Sequence, residues 1–443
     1  MGRYTKEDII RLVEEEDVEF IRMQYTDMFG VLKNMAITAG RLEKALNNKC
    51  IIDGSSLNGL ARIEESDMYL VPDLDTFTIF PWRPQQGKVA RFLCDVRHTD
   101  GTPAESSPRH VLRRVLAEAK KMGYAFLVGP ECEFFLFETD DNGQPTTVTH
   151  EHAGYFDLGP LDQGENARRD MVMMLEEMGF EVTSSHHEIS PSQHEIDFRF
   201  NEALRAADQI VTFKLVVKTL AQRHGLYATF MPKPKMGVEG NSMHINMSLL
   251  HDGKNVFFDP DDPYGLSREA YYFMGGIMKH APALAAITNP IVNSYKRLVP
   301  GYAAPVYIAW SAANRSPLIR IPTTTGEGMR IELRCPDPAA NPYLAFAACL
   351  EAGLDGIRNQ INPPKSVDQN IYSMSDQERT DCGIEALPAN LWEAVCALEK
   401  DPVVLGALGD ELAKKYIEAK KAEWMQYNIQ VTPWEVETYL YKN

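Results

Sequence analysis

The sequence predicts an α+β protein built from a small mixed domain followed by a much larger one. Three observations carry this expectation. The chain has 443 residues, more than one ordinary core accommodates. Its first hundred residues read as short β-like runs punctuated by Gly, Pro and Asp, whereas strand-like segments further on alternate with long helical ones. Between the two lies HTDGTPAESSPRH at 98–110, where turn-forming residues crowd together.

Taken in order, KEDIIRLVEEEDVEF sets Ile9, Ile10, Leu12 and Val13 against an acidic run, as an exposed amphipathic helix does. FIRMQYTD, MYLVPD, TFTIFPW and VARFLCDV then read as strands of the small domain, with one helix expected at 40–47. VLRRVLAEAKKMG opens the large domain as a helix. AFLVGPECEFFLFE, HEIDFRF, LYATFMPKP, MHINMSLL and RIELRCPD are strand-like, and RRDMVMMLEEMG and AADQIVTFKLVVKTLAQRHG are helical.

The formal net charge of −17 argues against nucleic acid or an anionic membrane as the main partner. The first twenty residues hold no apolar core of signal-peptide length. The most apolar stretch, APALAAITNPIV at 281–292, is interrupted by proline, so a cytoplasmic protein is expected. Seven cysteines without a CxxC pair fit reduced, mostly buried thiols.

Glu131 and Glu133 in GPECEFFLFE stand two apart, so on a strand both project from one face. Such a pair alone is most often two solvated acids. Here Glu188 and Glu195 follow in HHEISPSQHEIDF beside His186, His187 and His194, with His244 in GNSMHINMSL and Glu332 in RIELR. Carboxylates with one imidazole suit Mg²⁺ or Mn²⁺ better than zinc. The complement is a stretch from Ala270 to Gly326 without Asp or Glu, carrying Lys279, Lys296, Arg297, Arg315 and Arg320, with Arg330 and Arg334 just beyond. Metals facing arginines is what phosphoryl transfer requires, since both neutralise charge on the moving group. No GxxxxGK[ST] and no kinase signature occurs, so nucleotide would be held without a P-loop.

NSYKRLVPGY, NRSPLIRIP, RIELRCPDPAANPY, GPECEFF, HHEISPSQHEID and DGSS resemble type I glutamine synthetases, over nearly the whole chain. The resemblance implies an N-terminal β-grasp domain at 1–103 and a catalytic domain at 104–443 with a curved antiparallel sheet, as in the glutamine synthetase and guanido kinase fold. It implies one metal on Glu133, Glu188 and Glu195 and another on Glu131, His244 and Glu332, with Mg²⁺ or Mn²⁺ numbering two or three per site and ATP as co-substrate. Glutamate would be held by Arg297, Arg334, Tyr155 and the Gly240 backbone. ATP would meet Arg315, Arg320 and Arg330, with Phe200 and Ser248 near the base. Asp53, contributed by a neighbouring subunit, would bind and deprotonate ammonium, and Arg297 and Arg315 would complete the catalytic set.

The implied assembly is a dodecamer of two hexameric rings with active sites between subunits. Around NIYSMSDQERTDCGIEALP the chain resembles the shorter form, which lacks the adenylylation loop and is controlled by feedback and protein partners. Two departures stand at the nucleophile's end of the site. Ala303 follows VPGY where the family usually has a flap glutamate, and Glu239-Gly240 replaces the usual Asn-Gly. A γ-glutamyl amine ligase using a larger amine, and a non-catalytic paralogue, therefore stay open beside glutamine synthesis.

Overall fold

We describe the protein from a computed structural model covering residues 3–48, 50–56, 67–83 and 86–441. The small domain contains β1 (Val18–Thr26), β2 (Leu32–Thr38), β3 (Cys50–Asp53), β4 (Asp67–Pro72), β5 (Thr78–Ile79) and β6 (Lys88–His98). They form one sheet in the order β2-β1-β6-β4-β3, with β5 on β6. β1 and β6 pair in parallel at its centre, which requires the long crossover that the intervening residues supply. The opening helix ends at Glu15, so the acidic run expected to extend it instead turns into β1. A Thr5 capping box starts this helix, and Ile9 and Val13 bury its apolar stripe in the small domain's core.

The large domain is organised on β7 (Tyr124–Thr139), β8 (Pro145–Thr149), β9 (Val182–His187), β10 (Gln193–Phe198), β11 (Asn201–Glu202), β12 (Leu226–Thr229), β13 (Met243–His251) and β14 (Lys254–Asn255). β15 (Tyr307–Ile308), β16 (Trp310–Ser311), β17 (Ile319–Arg320), β18 (Ile331–Leu333) and β19 (Glu385–Ala386) follow. The main sheet runs β16-β17-β18-β13-β7-β10-β9, with β8, β11 and β12 also on β7 and β14 on β13. It departs from the purely antiparallel sheet expected, because β16 and β17 pair in parallel. β7 changes partners along its length, pairing with β13 as far as Cys132, with β10 at Glu133–Phe135 and with β12 beyond.

Helices pack on this sheet around an aromatic-rich core. The helix Arg268–Thr288 continues through Pro282 and stops at the Asn289-Pro290 boundary, so the proline at 282 does not interrupt it as the sequence suggested. It lies close against Pro342–Arg358, where a Cβ on Gly276 would collide with the Ala352 carbonyl and one on Gly356 with that of Tyr272. No helix among the described residues is long and apolar enough to cross a membrane.

Arg109, 5% exposed at its side chain, ties the two domains together. Its guanidinium donates to Asp73 and Asp95 of the small domain, at 2.7 Å each, and to Asp208 of the large one at 2.8 Å. Burial works against its charge, but Asp208 and Asp95 more than compensate and hold its pKa well above the usual value. Arg109→Ala would leave Asp73 and Asp95 to Arg113 alone and Asp208 to the Tyr343 hydroxyl, a loss of up to roughly 3–5 kcal/mol, the scale for a broken buried pair. A calorimetric melt of this variant is expected to show a Tm several degrees lower, or two separated transitions as the domains uncouple; an unchanged single transition would contradict the assigned role.

Candidate active site

The site is built by strand register. On β7, alternation turns Glu131 and Glu133 to one face, and each neighbouring strand sets a polar side chain against them. His244 of β13 lies opposite Glu131, and Glu195 of β10 opposite Glu133. One strand further out, His186 of β9 pairs with Glu195, while Glu332 of β18 pairs with Asn246 of β13 and with Arg320 of β17. The result is a band of acids, imidazoles and guanidiniums across the sheet.

All of these except Asn246 line a cavity of about 600 Å³ that also includes Tyr155, Glu188, Gly240, Arg315 and Arg334. A second cavity of about 450 Å³ contains Phe200, Ser248 and Arg330 and shares Glu131 and Asp197 with the first. Phe200 presents an exposed ring there, with the Arg199 guanidinium 5.6 Å from its centroid. An aromatic face with hydroxyl and guanidinium groups suits a nucleotide base and its phosphates.

Two of the three groups whose potential ligand atoms lie within 4.8 Å of one another fall in this cavity: Glu131, His244 and Glu332, and His186, Glu188 and Glu195; the third is Asp162, His187 and His194. The first is the trio the resemblance implied. The second contains His186 where Glu133 was expected. His186 Nε2 is 3.1 Å from Glu188 Oε1 and 3.4 Å from Glu195 Oε2. Glu133 stands beside this group, with its Oε2 accepting from Gln193 at 3.0 Å and from the Ser242 N–H at 2.7 Å.

Electrostatics say what the acids lack. Burial, followed by the Glu188 charge, pushes the Glu133 carboxyl up to about 8. Burial with the charges of Asp197 and Glu133 holds Glu195 well above its usual range. Glu131 is half-buried, which raises it, yet hydrogen bonding to His244 and Asn246 lowers it overall. Like carboxylates share a low-dielectric wall that cannot hold all of them ionised without cations. His244 also keeps a buried Nε2 without a hydrogen-bond partner. The donor set thus fits hard divalent cations, with carboxylate oxygens and single imidazoles.

Arginines supply the opposing charge. Arg334 and Arg320 both donate to Glu332, the latter at 2.8 Å. Arg330 Nε donates to Asn246 Oδ1 at 3.0 Å. Arg315 neighbours Tyr155, whose hydroxyl is pushed up by burial while Arg315 pulls it down.

Arg297 differs from expectation. It is 1% exposed, lies behind Gly240, and donates to the carbonyls of Cys335 at 2.7 Å and Arg334 at 3.3 Å and to Ser242 Oγ at 2.6 Å. These bonds brace the wall that carries Arg334 instead of presenting a free fork to the cavity. Asp53 ends β3 in the small domain, where it is exposed and accepts from Ser55, and it is not among the lining residues.

Sequence reading named His186 beside the acids without making it a ligand, and passed over Gln193, Asp197 and Asn246. Period-two spacing could have flagged the last two, since Asp197 follows Glu195, and Asn246 follows His244, at the interval that separates Glu131 from Glu133.

Fold and site together define an enzyme that sets carboxylate-bound divalent cations against arginines beside a nucleotide-sized cavity. Residues 17–99 match the family described as glutamine synthetase, beta-Grasp domain, and residues 105–439 match glutamine synthetase, catalytic domain. The chain belongs to the glutamine synthetase family. Curated relatives named glutamine synthetase are 60% identical in Clostridium saccharobutylicum, covering all of both chains, and 56% identical in Methanosarcina mazei, covering 98% of both. A solved GmaS/ADP complex superposes with a TM-score of 0.89 at 35% identity, covering 98% of this chain and 99% of the other. Plasmodium falciparum glutamine synthetase does so with 0.87 at 27% identity, covering 99% of each.

The raised Glu133 and Glu195 pKa values set a sign for pH dependence. Their contribution to stability is fully present below the ordinary carboxylate value of 4.5, and for Glu133 it is lost as pH rises through about 8. Metal-free protein should therefore lose Tm between pH 6 and pH 8, and Mg²⁺ or Mn²⁺ should restore more at pH 8 than at pH 6. Equal restoration at both would count against cation binding by these acids.

Proposed function

We propose that this protein joins ammonia to the γ-carboxylate of L-glutamate at the expense of ATP, through γ-glutamyl phosphate, giving L-glutamine, ADP and phosphate. The observation that carries the reading is that acids from β7, β10, β18 and the loop after β9, with imidazoles from β9 and β13, share one cavity with Arg315, Arg320 and Arg334, which meets a nucleotide-sized cavity at Glu131. Full-length similarity to relatives named glutamine synthetase supports it.

Glu131, His244 and Glu332 would hold one divalent cation, and Glu188 and Glu195 with His186 or Glu133 another, Mg²⁺ or Mn²⁺ in either case. Bound there, the cations supply charge neutralisation for the phosphates and the γ-carboxylate. Arg320 and Arg330 meet the phosphates, and Phe200 and Ser248 border the base. Arg334 and the Gly240 backbone hold glutamate, with Tyr155 beside them and Arg297 positioning Arg334 from behind. The γ-carboxylate oxygen attacks the γ-phosphorus and ADP leaves, Arg315 stabilising the charge on the moving group. Ammonia then attacks the acyl carbon, phosphate departs, and the proton shed by ammonium passes to Asp53 of an adjacent subunit.

Asp53 lies in the small domain, away from this chain's own cavity, which supports a site completed between subunits. The C-terminal helix Pro433–Tyr439 buries nothing, while Ile429, Val431, Trp434, Leu440 and Tyr441 around it are exposed. Such a contiguous apolar tail suits a subunit contact, here the dodecamer of two stacked hexamers, in the cytoplasm. We extend the same reading to control by feedback and a regulatory protein.

Phosphate release from ATP, Mg²⁺ and glutamate should depend on ammonium and not on putrescine; the reverse would favour an amine ligase. Glu332→Ala or Arg334→Ala should lower kcat roughly a hundred- to a thousand-fold without altering the circular dichroism spectrum, the loss typical of a removed electrostatic group. Unaltered kcat would contradict the site. Removal of residues 429–443 should reduce the particle mass measured by light scattering, and an unchanged mass would contradict the tail contact.

A further inference from the structure

Ala303 and Glu239 meet in the structure. The Ala303 N–H donates to Glu239 Oε2 at 2.7 Å, and both residues line the 600 Å³ cavity with the acids and with Arg315 and Arg334. The other carboxylate oxygen of Glu239 accepts no hydrogen bond among the described residues.

The contact belongs to a set that fastens the segment between Arg297 and β15. The Tyr372 hydroxyl donates to the Ala304 carbonyl at 2.6 Å. The Lys233 ammonium sits 3.6 Å from the centre of the Tyr302 ring. Glu239 is itself held from below, its N–H donating to Ser190 Oγ at 2.8 Å, two residues past Glu188. The segment at 302–304 is thus a strap tied across the cavity mouth, with a partly free carboxylate at the knot.

Building on the glutamine synthetase reading, we propose that Glu239 selects the nucleophile: its charge draws ammonium to the cavity rim while the same carboxylate ties the strap, a double role placed on the 232–242 loop instead of on the strap itself. Two features favour this over a purely structural tie. A hydrogen bond to one backbone N–H needs only a neutral acceptor, which Asn or Gln would supply, whereas Glu also sets a charge against a wall where Glu133, Glu188 and Glu195 are taken up by cations. Tying the strap at Ala303, whose methyl group is the smallest available side chain with a Cβ, also leaves room beside that charge for a small cation.

The test is steady-state kinetics of the full-length protein with ammonium, glutamate and ATP varied in turn. Glu239→Gln keeps an oxygen to accept from the Ala303 N–H and removes the charge. It is expected to raise the KM for ammonium roughly tenfold, leaving the KM values for glutamate and ATP within about twofold. Glu239→Ala removes the tie as well and should add phosphate release without ammonium, as water reaches the acyl phosphate. The double variant Glu239→Asn with Ala303→Glu moves the carboxylate to the strap and should bring the ammonium KM back to within about threefold of wild type. An ammonium KM unchanged in Glu239→Gln overturns the proposal alone. A wild-type protein that uses putrescine and not ammonium overturns the glutamine synthetase reading, and the proposal with it.

Discussion

The mutual repulsion of buried carboxylates governs this structure. Glu131, Glu133, Glu188, Glu195 and Glu332 converge on one cavity, where burial and neighbouring carboxylates push Glu133 and Glu195 upward. A chain of net charge −17 gains no stability by concentrating more of it in a low-dielectric wall. The arrangement is tolerable because cations and arginines can answer it, and that demand ties metal, nucleotide and glutamate to a single place. Arg297, enclosed by the carbonyls of Cys335 and Arg334, braces the segment just past β18 that carries Arg334.

The sheet gives that repulsion a geometry. Three of the strands offer a pair two residues apart, Glu131 and Glu133, His244 and Asn246, and Glu195 and Asp197, and Arg334 follows Glu332 at the same interval just past the end of β18. Antiparallel pairing brings opposed side chains to about 4.5–5.5 Å between their Cβ atoms, the scale on which several of them can share an ion. The change of β7 partners near Glu133 matters here, because it lets β13 serve one acid and β10 the other. The second cavity opens on the β13 side, so a nucleotide there would extend its phosphates toward Glu131.

Beyond the sheet, the site depends on how elements remote in sequence are tied down. Arg109 fastens the small domain by three carboxylates. Tyr372 from one segment, and Lys233 and Glu239 from the loop between β12 and β13, hold the strap at the cavity mouth. Asp53, exposed on the small domain, is not among the residues lining the 600 Å³ cavity.

Much of this was legible in the sequence, because strand periodicity and residue chemistry are local properties. The small-then-large order, the acid pairs, the acid-free stretch rich in arginine, the missing P-loop and the family motifs can all be read along the chain. What needed the folded protein is non-local. Register alone set His186 against Glu195, and packing alone drew the Arg297 guanidinium behind Gly240. The pairing of Glu239 with Ala303 joins two departures 64 residues apart, which the linear order leaves unrelated. Periodicity determines which way a side chain points; only the tertiary structure decides what it meets there, because that depends on the alignment of strands and loops whose positions no local pattern encodes.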